Sequence, residues 1–205
     1  MKSIAVCALL ISATAIFHSN IVLAQEGGTP PSMSALSPSQ APVRAAGARA
    51  PLLGLQFAGE GEMRFLGFEI YRARLWVGRG FDAERYAAHP LALELTYQRG
   101  FTADAIAKRS IEEMRRVGDF SAEQGTQWQQ ALQAALPDVK PGDRLVGLYR
   151  PGVGTVFKMN GRVVGDVPDA AFSRLFFGIW LSPQTSEPAL RQQLMAGPLT
   201  AAARP

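Results

Sequence analysis

Residues 154–181, GTVFKMNGRVVGDVPDAAFSRLFFGIWL, change hydrophobic period with no linker between the two halves. The first half sets Asn160-Gly161 between two β-rich runs. A two-residue type I′ turn needs positive φ at both positions and favours that pair. The second half repeats Phe172, Leu175, Phe176 and Ile179 at i, i+3, i+4 and i+7, a stripe that must be buried. Pro168, just inside a run led by Asp166, suits the start of that helix. A hairpin that feeds directly into an apolar helix points to a sheet with helix packed over one face.

The rest of the chain agrees. MRFLGFEIYRARLWVG (63–78) reads as one or two strands with Gly67 as a bend or tight turn, Phe68, Ile70 and Ala73 opposing Glu69 and Arg72. LALELTYQR (91–99) alternates cleanly, with Leu91, Leu93, Leu95 and Tyr97 on one face, and predicts a half-buried strand. Thr102 can cap a helix that Gly118 ends. Ser121 and Gln124 form a capping box for a second helix, with Trp128, Leu132 and Ala135-Leu136 as its buried stripe and Pro137 at its exit. PGDRLVGLYR (141–150) predicts a turn and a strand, and Ser186 and Gly197 bracket a short last helix. The order is strands, helices, strands, helices, without βαβ units. This is an α+β pattern, an antiparallel sheet covered on one face by helices.

The first 24 residues carry Lys2, an apolar run from Ile4 to Phe17 and Val22-Leu23-Ala24 before Gln25, the pattern of a cleaved secretory signal. The apolar run falls short of the roughly 20 residues that span a bilayer. Residues 25–50 are rich in Pro, Ser, Gly and Ala and predict a disordered linker. Residues 51–200 are one domain's length. The expected location is periplasmic or secreted, with no membrane span after signal cleavage. Cys7 is the only cysteine and lies in the signal, so disulfides are not expected to stabilise the domain. The formal charge is +4, with 17 arginines to 4 lysines, and no basic run is interleaved with aromatics. That composition argues against nucleic acid as a partner.

Candidate chemistry is sparse. Beyond the signal the only histidine is His89, ahead of a proline, so neither a nitrogen- or sulfur-ligated metal nor a Ser-His-Asp triad is expected. GEGEMR and GVGTVF lack phosphate-loop spacing. Glu112-Glu113 reads as a solvated helix surface, and Asp166 with Asp169 as a helix start. Polar groups on apolar strands remain: Arg64, Tyr71, Tyr97 and Tyr149. An arginine there can hold a carboxylate or phenolate through its planar fork of donors, with tyrosine adding a hydroxyl. Spacing alone favours the other reading, in which Arg64 lies at the sheet edge in water and the tyrosines are core bodies with solvated tips.

The tracts GEGEMRFLGFEIYRARLWV, LELTYQRGFTADAIA, VKPGDRLVGLYRPGVGTVFKMNGRVVGDV and FSRLFFGIWLSP, in that order, resemble the secreted bacterial members of the chalcone-isomerase-like family. The resemblance spans about residues 54–197. It implies an open-faced β-sandwich, a large antiparallel sheet covered by helices with a ligand cleft between them. Chalcone isomerases orient a substrate phenolate with an arginine, helped by threonine, tyrosine and asparagine. By resemblance Arg64 is the counterpart of that arginine, and Tyr71 stands nearest the threonine position. FTADAIAKRSIEEM has no matching Tyr-then-Asn pair. Non-catalytic relatives bind fatty acids. The expectation is therefore a non-catalytic, cofactor-free protein that binds a small amphipathic or acidic apolar ligand such as a fatty acid. Arg64 would anchor the acid, with Tyr71 and Tyr97 beside it. The alternatives are a protein-interaction module without ligand and an intramolecular lyase of the chalcone isomerase type.

Overall fold

The computed structural model describes residues 54–197; the signal at 1–24, the linker at 25–50 and the tail beyond Gly197 lie outside the described residues. Six strands form one antiparallel sheet in chain order: β1 (Gln56–Phe65), β2 (Phe68–Val77), β3 (Leu91–Tyr97), β4 (Arg144–Arg150), β5 (Gly154–Met159) and β6 (Arg162–Val167). Helices α1 (Ala103–Val117) and α2 (Ala122–Ala135) are inserted between β3 and β4, and α3 (Ala170–Leu181) and α4 (Pro188–Leu194) follow β6. The fold is α+β, an open antiparallel sheet with helices packed against it. Among the described residues no helix is long and apolar enough to cross a membrane.

The core is laid out by strand register. Tyr71, Ala73, Leu75 and Val77 of β2 stand opposite Tyr97, Leu95, Leu93 and Leu91 of β3. Leu93 and Leu95 in turn face Gly147 and Leu145 of β4, and Phe157 of β5 pairs with Gly147. This face is covered by α3, on which Phe172, Leu175, Phe176, Phe177, Trp180 and Leu181 are all buried. The predicted stripe was too narrow, because Phe177 and Leu181 are buried as well and Ile179 only partly. A helix apolar nearly all round belongs between layers. Gly147 makes the close packing possible, since a Cβ there would stand 3.1 Å from the tip of the Phe177 ring.

Local signals map closely onto the observed elements. Asn160 and Gly161 take φ of 51° and 88° in the β5–β6 turn, and Asn160 also joins Asp143 (2.9 Å) and the Arg144 amide (2.9 Å). Thr102 caps α1, and the Ser121–Gln124 box closes the start of α2. The start of α3 differs. Asp166 belongs to β6, and Asp169 is the cap, accepting from the Phe172 amide (2.8 Å) and from Trp128 Nε1 on α2 (2.9 Å). Strand β1 begins well before Met63, because Gly59 and Gly61, which weaken a strand pattern, leave room for the backbone and Gln193 side chain of α4. The half-buried reading of β3 also fails. Ala92 (0% exposed) and Glu94 (4%), on the other face, are buried too, with Trp76 and Leu148 flanking Ala92 across the sheet.

Candidate ligand-binding site

The layer between α3 and the sheet is apolar through most of its length. Leu93, Leu95 and Leu145 rise from the strands to meet Phe176, Phe177 and Trp180 of α3. The rings interlock edge to face: Phe176 lies 5.6 Å from Phe157 and 5.5 Å from Trp180, centroid to centroid. The packing leaves a void of about 10 Å³, room for about one water.

At one end the layer turns polar. Trp180 Nε1 donates to the Tyr71 hydroxyl at 3.0 Å. The Tyr71 and Tyr97 rings meet edge to face at 6.0 Å, as their opposed register positions require. Burial pushes both phenols well above the ordinary tyrosine range. Neither hydroxyl proton has a protein acceptor among the described residues: Tyr71 only accepts, and no hydrogen bond reaches Tyr97. A phenol kept neutral by burial is a donor at any physiological pH. The layer thus ends in two O–H donors that no acceptor among the described residues engages.

Two carboxylates, Glu113 and Glu187, act on Tyr71, where Glu112-Glu113 was expected to be solvated. Glu112 is exposed, but Glu113 on α1 is buried at 6% exposure and faces Arg109 one turn back and Arg116 (3.4 Å) three residues on. Glu187, the cap residue of α4, is partly buried. Burial first, and the Glu113 charge second, raise its carboxyl above the usual range. Both carboxylates and Arg109 act on the Tyr71 hydroxyl. The signal in the sequence was the placement of Glu113 on the Ile106–Ser110 line, the buried side of α1.

Arg64 does not join this cluster. A register shift between Met63 and Arg64 leaves Met63 opposite Tyr71 but puts Arg64 opposite Glu69. The side chain is 61% exposed and pairs with Glu62 at 2.9 Å; Glu62 also takes Arg72 at 3.0 Å. Since Glu62 opposes Arg72, whose neighbour Tyr71 points into the layer, this ion-pair group occupies the other side of the sheet. Tyr149 is committed elsewhere, donating to the Ala87 carbonyl at 2.8 Å. His89 packs its ring 5.6 Å from Phe81, near the start of β3.

The sequence model of the chalcone isomerase-like family matches residues 53–196, almost all that is described here. The chain belongs to that family. An uncharacterized protein of Haemophilus influenzae is 29% identical over 150 residues, covering 71% of this chain and 70% of its own. Among solved structures, the Arabidopsis thaliana fatty-acid binding protein AtFAP1 superposes with a TM-score of 0.56 at 12% identity, over 72% of this chain and 91% of that one. At that identity the likeness establishes the chalcone isomerase-like fold. Arg64, expected by resemblance to anchor the acid, lies outside the layer, while Tyr71 and Tyr97 lie at its polar end.

Proposed function

We propose that this family member binds a small amphipathic or acidic apolar ligand, such as a fatty acid, between α3 and the sheet, and does so without catalysis. The observation that carries the reading is the pair of phenols, partly buried Tyr71 and buried Tyr97, whose hydroxyl protons have no protein acceptor among the described residues at the end of an apolar layer. An acid headgroup supplies acceptors for both. The fatty-acid binding protein of the same fold supports the choice of ligand class. A chain of that class needs far more room than the layer has. Entry therefore requires α3 to lift and the Phe176 and Trp180 rings to turn aside. The signal-like residues 1–24 support a periplasmic or secreted setting.

Titration calorimetry with a long-chain fatty acid tests the reading. Saturable binding of one molecule is expected, weakened about tenfold in Tyr97→Phe, the loss of one hydrogen bond to a charged group. Saturable binding left unchanged in Tyr97→Phe would remove Tyr97 from the site. The tight packing of the layer favours a second reading, an interaction module whose working surface is outside. Absence of any saturable binding would favour that one.

A further inference from the structure

The β1–β2 and β5–β6 hairpins turn in the same way but are filled differently. Asn160-Gly161 has φ of 51° and 88°, and Leu66-Gly67 has 49° and 83°. Asparagine tolerates the left-handed region, whereas leucine is strained in it. The strained residue is also the most exposed of the large apolar side chains, Leu66 at 80%, with Phe68 at 52% beside it. A chain that gained nothing from this leucine would do better with asparagine.

The apex is cationic as well as apolar. The Arg99 guanidinium lies 4.8 Å from the Phe68 ring centroid, and among the described residues Arg99 makes no ion pair. Arg64 and Arg72, 61% and 50% exposed at the side chain, share the single carboxylate of Glu62. Glu69 is the other acid nearby, and one of its oxygens is buried.

We propose that this apex docks onto an anionic lipid surface. Leu66 and Phe68 enter the boundary between headgroups and acyl chains, and Arg99 and Arg64 meet the lipid phosphates. The shape favours lipid over protein. A specific protein interface takes about 800 Å² from each partner, whereas a two-residue turn is a convex knob of little area that a bilayer accepts without matching relief. By register the apex also stands at the Tyr71–Tyr97 end of the sheet, so docking would bring the polar end of the layer close to lipid. The inference does not depend on what the layer holds.

Co-sedimentation of the signal-cleaved chain, from Gln25 onward, with phosphatidylcholine vesicles carrying about 30 mol % phosphatidylglycerol tests it. The wild-type chain should bind, less so as salt is raised. Leu66→Asn, which suits the turn and keeps the fold, should weaken binding about tenfold, the factor implied by the lost transfer of one largely exposed leucine. Phe68→Ser should act in the same direction. Failure of the wild-type chain to bind would overturn the proposal and leave the apex to a protein surface. Binding by Leu66→Asn equal to wild type would also overturn it, by placing the lipid contact elsewhere in the chain.

Discussion

Tyr71 and Tyr97 sit side by side, yet removing their hydroxyls should have unequal effects on stability. Tyr71→Phe takes the acceptor from Trp180 Nε1, 3.0 Å away on a residue only 7% exposed. Leaving a buried donor without its partner costs about 1–3 kcal/mol, and the slight exposure of Trp180 puts the expected loss at about 1–2 kcal/mol. For a domain of this size that lowers the melting midpoint by about 3–6 °C. Tyr97→Phe removes a hydroxyl that no group among the described residues engages, so its cost should stay within about 0.5 kcal/mol. Urea unfolding followed by far-ultraviolet circular dichroism, with m-values checked for equality, measures both. Combining Tyr71→Phe with Trp180→Phe should recover about 1 kcal/mol relative to additivity, since the two groups share one bond. Equal losses from the two tyrosine variants, or strict additivity in the double variant, would refute the assignment of Tyr71 as the partner of Trp180.

Two further outcomes follow from the same geometry. The four tyrosines of the chain, Tyr71, Tyr86, Tyr97 and Tyr149, all have phenols raised by burial, Tyr86 to about 12. A group whose folded value is raised contributes stability that is complete below its unfolded value, about 10, and is lost as pH climbs from there through the folded value. Phenolate absorbance should therefore stay absent near pH 10 and appear together with loss of circular dichroism in one cooperative step at higher pH. Asp169→Ala should cost about 2–3 kcal/mol in urea unfolding, because it removes the cap of α3 and the acceptor of Trp128 Nε1 together; Asp169→Asn should recover most of the cap.

Features written in short-range chemistry were legible in the sequence. Asn160-Gly161, the Thr102 cap and the Ser121–Gln124 box each depend on neighbours within a few residues, and each lies where its pattern put it. The antiparallel order followed from the arrangement of periods. The site depended on longer-range events. Arg64 shares its side of β1 with Glu62, two residues before it, and because Glu62 pairs with Arg72 that is the side from which Tyr71 turns away; the pairing of β1 with β2 that decides this is not written in either strand alone. Ala92 and Glu94 are buried by strands far away in sequence, so β3 looked half-solvated. Glu113 of α1 acts on the charge of Glu187 at the cap of α4, a proximity set by how the helices dock. Tyr71 and Tyr97 could be singled out as polar groups on apolar strands. The partner of Tyr71, Trp180, could not.

Native mass spectrometry of the chain exported from a cell and purified without detergent tests the central claim most directly. Ligand binding between α3 and the sheet predicts a discrete added mass of roughly a few hundred daltons, released on denaturation and identifiable as an acid with an apolar body. A bare mass, unchanged after incubation with fatty acids and flavonoids, would contradict it and make the surface of the domain its working part.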